Sequence, residues 1–395
     1  MKVCIVVPSY YPATVYGGPI VSIHECALQL SSLGVNINVS TTNANGKTRL
    51  TVEPNTYIQI KSNYRVKYYE DTIIGRFSWR FITSVWKDIN RCDLVKIEDI
   101  FSTYMPPSLL YAKMLRKPIL ISPRGSLSPW SIANKHPFLK KLWLMLLIEP
   151  FIRNGWWHAT SSQEADDIKK LFPKAKIVVI PNGVDLEQFS KPNKLNRLEY
   201  LRRFTGRDTQ QGPIIISMGR LHQKKGFDLL IDAYSKILAK HPHALLLIAG
   251  KDDGEKKRLD QQISNLLLGN HILFVGELLG DDKLNFLRGG DLFVLPSQSE
   301  NFGNVYLEAL ASGVPVVATR TTPWEEVERF KSGKWVENNV EDVTEAMLYL
   351  LTQDRKTIAN NARNHALYYS WIQIAQRFEH TFDIMADNIV DTRRK

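Results

Sequence analysis

Apolar and polar positions fall in blocks along this chain, and the blocks predict strands and helices in turn. Lys2 to Val7 is an apolar run of the kind a central parallel strand needs, and Pro8 stops it. A loop follows, then a helix expected from about Ile20 to Leu33, closed by Gly34, and a second strand from Val35 to Val39. Asp93 to Ile97, Pro118 to Ser122 and Ile177 to Ile180 read as further short strands. Phe138 to Ile152 reads as a strongly apolar helix that Pro150 ends or kinks. Trp156 to Ser162 reads as a strand leading into a helix start, with Glu164 completing a capping-box-like pattern. The theme then repeats: Ile214 to Met218, Ala244 to Gly250, Ile272 to Gly276 and the run ending at Leu295 each precede a polar loop and a helical stretch. A last helix is expected from about Trp371 to Val390.

This alternation is that of an α/β protein with parallel sheets. The length, 395 residues, allows two or three domains of ordinary size. Residues 1–190 form the first expected domain, and the polar stretch 191–212, with Lys191-Pro192-Asn193 and Gln210-Gln211, reads as linker and short helix. Residues 213–370 form the second domain.

Hydrophobic content of 44% and charged content of 23% are those of a soluble globular chain. Cys4, Cys26 and Cys92 are scattered without metal spacing, which favours a reduced cytoplasm without disulfides. No signal peptide and no run of roughly 20 apolar residues is visible. The net charge of +11 is uneven: residues 1–190 hold 23 Lys and Arg against 14 Asp and Glu, a balance of +9. An anionic partner or surface is therefore expected near the first half. Without a zinc finger, an RNA-binding aromatic signature or a dense basic helix, nucleic acid is not the expected partner.

The chemistry concentrates between Pro296 and Glu328. After the strand ending at Leu295 comes a small polar loop with Glu300 and Asn301. Phe302-Gly303-Asn304 then leads into a helix from Val305 to Ala311, and Gly313 and Pro315 close it. The helix start would lie at the carboxyl end of the sheet, where open α/β sheets bind ligands, and its backbone N–H groups suit a diphosphate. Glu300 and Glu308 frame the element with seven residues between them; a solvated helix glutamate is the plain alternative for Glu308. Earlier, Gly219-Arg220 and Lys225-Gly226 put two cations just past a strand, as a departing diphosphate requires. Gly17-Gly18 stands at the first helix start, either for phosphate contact or as a mobile turn. Arg124-Gly125 follows another strand end, either in a cleft or as a surface ion pair.

The Glu-x7-Glu pair, the following Ala311-Ser312-Gly313-Val314-Pro315-Val316-Val317-Ala318, the Gly-Arg…Lys-Gly pattern and Pro181-Asn182-Gly183-Val184-Asp185 together resemble the retaining family-4 (group 1) glycosyltransferases. The resemblance covers nearly the whole chain and implies a GT-B fold, two Rossmann-like domains facing each other across a cleft. It implies acceptor binding by the first domain, donor binding by the second, and a C-terminal helix, 371–395, that packs back on the first. It also implies roles. Arg220 and Lys225 would stabilise the leaving diphosphate, with the backbone of Phe302, Gly303 and Asn304 assisting. Glu300 would orient the donor sugar and Glu308 would hold the ribose hydroxyls. Glu277 to Leu279 would border the base, and the Gly17-Gly18 loop would reach towards donor phosphates and acceptor. Arg124 departs from the pattern, because many members carry histidine there to meet the donor sugar.

The expected reaction is metal-independent transfer from a UDP- or GDP-sugar, without a further cofactor, to a saccharide. A lipid-linked saccharide of a bacterial surface polysaccharide is the expected acceptor. The apolar helix 138–152, with Lys140 and Lys141 at its rim, is either a buried packing helix or a face for the anionic inner membrane surface. A GT-B nucleotide-sugar epimerase and a non-catalytic nucleotide-sugar-binding protein are the competing readings. A Rossmann oxidoreductase lacks its G-x-G-x-x-G fingerprint here.

Overall fold

Short apolar runs with helices between them can bury both faces only as parallel sheets with a helical layer on each side. The computed structural model describes residues 1–394 except 72, 74–76, 135, 153–154, 192–194 and 210, and side chains as far as residue 387. It divides into one unit of Met1–Gly183 and Trp371–Lys395 and a second of Val184–Ser370.

The first unit holds β1 (Lys2–Ser9), β2 (Asn36–Thr42), β3 (Ala44–Asn45), β4 (Thr48–Arg49), β5 (Tyr57–Lys61), β6 (Tyr64–Tyr69), β7 (Leu94–Glu98), β8 (Ile119–Ser122), β9 (Trp156–Ala159) and β10 (Lys176–Val179). Eight of these make one sheet in the order β10-β9-β8-β7-β1-β2-β6-β5, while β3 and β4 form a separate ribbon. Only β5 runs antiparallel to its neighbour in that sheet. Val3 to Val7 are buried on both faces. One face meets Ile23, Ala27 and Leu30 of the helix Gly18–Ser32 and Ile374, Phe378 and Phe382 of the helix Trp371–Arg394. The other face meets Phe81, Val85, Leu109 and Ile168.

The second unit holds β11 (Ile214–Met218), β12 (Leu245–Ala249), β13 (Ile272–Gly276), β14 (Leu292–Leu295), β15 (Val316–Thr319) and β16 (Gly333–Val336). They form one parallel sheet in the order β13-β12-β11-β14-β15-β16. The chain thus moves outward from β11 in one direction, returns beside it as β14, and moves outward the other way. The gap between the loops after β11 and β14 is the topological switch point, where such sheets bind ligands.

Three expectations are corrected. The boundary at 190 moves to Gly183/Val184, because Phe189, Tyr200 and Leu201 are buried in the second unit's core, so the described residues of 191–212 belong to it. Pro192, Asn193 and Gln210 of that stretch lie outside the described residues. Of the two outcomes expected at Pro150, an end or a kink, the end does not occur there: helical turns continue from Pro137 to Ile152, the expected last residue, with a wide π-turn at Leu144–Ile148 just before the proline. That wider turn takes up the offset that proline's ring and missing donor impose. Glu164 does not complete a capping box, since its carboxylate accepts from Thr160 N and Gly125 N; Ser161 Oγ alone caps, accepting from Glu164 N.

An aromatic cluster fixes the far side of the second unit's site region. His365 is fully buried, stacks on Phe330 at 4.2 Å, and meets Trp324 and Tyr369 edge-on. Its Nδ1 lies 2.9 Å from Ser332 Oγ. Burial pulls its pKa down to about 4, against the attraction of Glu326. An unfolded chain binds a proton here near pH 6.5, so the neutral imidazole stabilises the fold fully above that pH. This contribution is lost as pH falls towards 4, by up to roughly 3 kcal/mol. Denaturant titrations of wild type and His365→Gln at about pH 7.5 and about pH 4.5 check this. The wild type is expected to lose more stability between the two than the variant; equal losses would remove the imidazole from the account.

Candidate functional site

Four loops at the carboxyl edge of the second sheet are laced together, three of them by their backbones. Gly226, after β11, takes φ +67°, and a Cβ there would stand 2.1 Å from Pro296 O, after β14. Gln298 N donates to Lys224 O at 2.8 Å across the same gap. Leu221 N donates to Lys251 O at 2.8 Å, tying in the loop after β12. The fourth loop is tied by side chains: the hydroxyls of Thr319 and Thr321, at the end of β15, both donate to Ser297 O. The switch point is therefore a rigid frame.

Side chains of opposite charge pair on that frame. Lys225 Nζ bonds Glu300 Oε1, and Ser297 Oγ donates to the same oxygen at 2.9 Å. Both partners are largely sheltered, at 19% and 12% exposure. The Lys225 stem lies over Gly219, where a Cβ would meet it at 3.4 Å. Arg220 turns outward at 70% exposure and donates to Asp253 Oδ2 at 2.7 Å. Lys224 stands in the same group, and burial lowers its ammonium's pKa, with Lys225 and Arg220 pushing the same way and Glu300 opposing.

The second carboxylate sits one helix later. Gly303 takes φ +78°, and a Cβ there would press on Tyr306 at 2.8 Å, so the turn into Asn304–Ala311 needs glycine. Phe302 is buried against Trp324 and Tyr369, and Trp324 Nε1 donates to Phe302 O at 2.6 Å. Residues 300–304 thus turn over a packed aromatic base. Glu308, inside the helix, accepts from Lys283 Nζ at 2.7 Å. It is a paired side chain at 17% exposure, not a solvated one. Lys283 comes from the first turn of the helix Gly280–Gly289. Glu277 and Leu279, between β13 and that helix, are both exposed.

Gly17, Gly18 and Arg124 belong to the first unit. Gly17 (φ +87°) and Gly18 are exposed, and Gly17 has open space where a Cβ would lie. Arg124 is neither a free cleft cation nor a surface pair. Its guanidinium donates to Glu98 at 2.7 and 3.2 Å and to Asn182 Oδ1 at 2.9 Å, inside a buried network. Lys96, 3% exposed, also pairs with Glu98 and stands over the Phe378 ring. Burial, with Arg124's charge added, pushes the Lys96 ammonium well below its usual range. Burial likewise depresses His158, whose Nδ1 lies 2.8 Å from Ser122 Oγ.

The structure therefore brings Gly219, Lys225, Glu300, Phe302, Gly303 and Asn304 around the switch point, with Arg220 on its rim and Glu308 one turn behind. Sequence reasoning missed Lys224, Ser297 and Lys283. Lys224 was legible as the neighbour of Lys225; Lys283 carried no signal, since 25 residues separate it from its partner. Among the described residues, no group of three or more His, Cys, Asp or Glu stands together as metal ligands.

Residues 202–365 match the family model described as glycosyl transferases group 1, and residues 16–188 match glycosyltransferase family 4. Mannosylfructose-phosphate synthase of Agrobacterium fabrum is 34% identical over 150 residues, 36% of this chain and 32% of that protein. A Corynebacterium glutamicum enzyme is 30% identical over 211 residues, 50% of this chain and 54% of that protein. It is a GDP-mannose-dependent monoacylated alpha-(1-6)-phosphatidylinositol monomannoside mannosyltransferase. The matches thus span about a third to a half of these relatives' lengths. The structure of Anabaena Alr3699/HepE in complex with UDP and glucose superimposes with a TM-score of 0.72 at 20% identity, covering 97% of this chain and 99% of that one. That likeness, with two parallel Rossmann-like sheets, makes the fold GT-B. With one family model on each half and the switch-point loops built as described, the chain belongs to the group 1, family 4 glycosyltransferases.

Proposed function

We propose that this protein transfers a sugar from a nucleoside diphosphate sugar to a saccharide acceptor, with retention at the anomeric carbon and without a metal. The observation that carries the reading is the Lys225–Glu300 pair at the switch point, with Arg220 beside it and Glu308 one helix on. The Anabaena structure holds UDP and glucose, and the Corynebacterium relative is GDP-mannose-dependent, so a UDP- or GDP-sugar is the donor class.

In this mechanism the donor diphosphate lies against Arg220 and Lys225. As the glycosidic bond breaks, negative charge grows on the leaving oxygen. Lys225, Arg220 and the helix turn at Phe302, Gly303 and Asn304 stabilise that charge more than they stabilise the ground state. Glu300, held by Lys225 and Ser297, orients the sugar hydroxyls. Glu308, held by Lys283, keeps one carboxylate oxygen for the ribose hydroxyls, while Glu277 and Leu279 border the base. Leaving-group stabilisation on the face where the acceptor attacks gives retention without a protein nucleophile. Gly17 and Gly18 of the first unit reach towards the donor phosphates and the acceptor, and the Arg124 loop serves the acceptor; Arg124 acts through Glu98 and Asn182 as a positioning residue.

The acceptor we propose is a lipid-linked saccharide of a bacterial surface polysaccharide, met at the inner face of the cytoplasmic membrane. The helical run 137–152 supports this. Leu144, Ile148 and Ile152 are buried, while Phe138, Leu139, Met145 and Leu146 are more than half exposed. Lys141 is exposed beside them, but Lys140 is committed to Ser131 O and Asn134 O. Among the described residues no helix is long and apolar enough to cross a membrane, so contact would be at the surface.

Arg220→Ala and Lys225→Ala are each expected to lower kcat by about 10²–10³, measured as sugar transfer from a UDP- and GDP-sugar panel. The wild type keeps its rate in excess EDTA. Near-normal turnover in both folded variants, or a Mn²⁺-reversible loss under chelation, would refute the mechanism. Glu308→Ala is expected to weaken binding of the free nucleoside diphosphate, and Glu300→Ala to slow transfer with little change in that affinity. Calorimetric titration decides it, and an unchanged affinity in Glu308→Ala would end the ribose assignment. Flotation with vesicles of anionic lipid at low salt should carry the protein upward, and Phe138→Ser/Met145→Ser should leave it at the bottom. Absence from all vesicle fractions, with full activity on a water-soluble acceptor, would make the enzyme purely cytosolic.

A further inference from the structure

We infer that a polar pocket at the amino edge of the first unit's sheet is a binding site for a phosphate-type oxyanion. The cavity, about 440 Å³, opens between the starts of β1, β2 and β6 and the residues before β7. It lies at the opposite end of the strands from the loops that carry Gly17, Gly18 and Arg124, so it is not part of the acceptor face. Lys2, Arg65 and Arg91 line it together with Asn36 and Asn38, and no Asp or Glu does.

Three cations share this space without a carboxylate partner among the described residues. Asp93, the acid beside them in sequence, accepts from the backbone N–H of Lys2 at 2.8 Å, not from its ammonium. Arg65 is held ready. Its Nε donates to Asn38 Oδ1 at 2.6 Å, and its guanidinium carbon lies 4.1 Å from the centre of the Tyr57 ring. Asn38 is itself 5% exposed and fixed by a second bond, to Cys92 Sγ at 3.0 Å. A guanidinium pinned by one nitrogen and one face presents the rest of its planar fork, which fits an oxyanion's paired oxygens. Lys2 and Arg91 are exposed and can close on the same group from two sides.

Three cations outnumber the one acid beside them, Asp93, and a bound anion reduces their mutual repulsion while using all three donors. The +9 balance of residues 1–190 adds a long-range attraction for the same ligand. The shared chemistry is a tetrahedral phosphate oxygen set, from a soluble phosphate or from the phosphodiester of an anionic lipid headgroup.

The test uses the full chain as wild type, Arg65→Gln/Arg91→Gln and Lys225→Ala. Thermal unfolding is followed against sodium phosphate at constant ionic strength set by chloride, and co-sedimentation against vesicles of phosphatidylglycerol in phosphatidylcholine. Phosphate is expected to raise the melting temperature of wild type and Lys225→Ala alike. The double variant should bind it at least about tenfold more weakly, from the loss of charge-assisted bonds. A response kept in Lys225→Ala separates this pocket from the proposed diphosphate site. If phosphate has no effect but the vesicles bind wild type and not the double variant, the site stands with lipid as its source. Equal phosphate response and equal vesicle binding in wild type and double variant would overturn the proposal, as would neither response in wild type. Arg91→Gln alone, an exposed change, carries the comparison if the double variant does not fold.

Discussion

The second unit depends on how closely two loops approach at its switch point. Gly226 presses its backbone onto Pro296 O, where any side chain would collide at 2.1 Å. That approach sets Lys225, from the loop after β11, beside Glu300, from the loop after β14. Sheet order supplies the rest: β11 and β14 are adjacent though 73 residues lie between the end of one and the start of the other, so the site is assembled by topology and not by local sequence. A frame closed by backbone contacts holds its charged side chains without reorganisation, which is the condition under which fixed charges act most strongly on a reaction.

Each proposed functional charge has a protein partner: Lys225 with Glu300, Arg220 with Asp253, and Glu308 with Lys283. Exposure ranks them. The Lys225 and Glu308 pairs are sheltered and geometrically fixed, whereas the Arg220 pair is mostly in water and contributes little to stability. Arg220 can therefore leave Asp253 for a ligand at small cost, while Lys225 and Glu300 remain in place as one unit. The first unit shows the other extreme, in which Lys96, Glu98 and Arg124 are so buried that removing any one would strand its partners' charge.

Much of this architecture was legible in the chain. Leu292 to Leu295 is a strand buried on both faces, and unbroken apolar runs are what such strands require. The glycines at 226 and 303 announced turns, and the spacing of Glu300 and Glu308 placed one carboxylate before a helix and one within it. What could not be read were partners distant in sequence. Lys96-Ile97-Glu98 looks like an ordinary exposed strand end, yet both charged residues are buried, because Arg124 and the terminal helix cover them. The polar stretch after 190 looked like linker because its apolar residues are few, but Tyr200 and Leu201 are enough to anchor it in the second unit's core. Pro150 looked like a helix end or a kink because its cost is local, while the π-turn that absorbs it is invisible to periodicity.

The division of the chain has a consequence for its biogenesis. The second unit is an insertion in the first, and its two ends meet: Val184 N donates to Tyr369 O at 2.8 Å. The first unit's core, by contrast, includes Ile374, Phe378 and Phe382, which follow the whole insertion in the chain. On a ribosome, which releases the amino end first, the inserted unit has all its strands before the enclosing unit has its last helix. The half that begins the chain is the half that finishes folding last, and until the helix Trp371–Arg394 arrives, the helix Gly18–Ser32 covers only part of one face of its sheet.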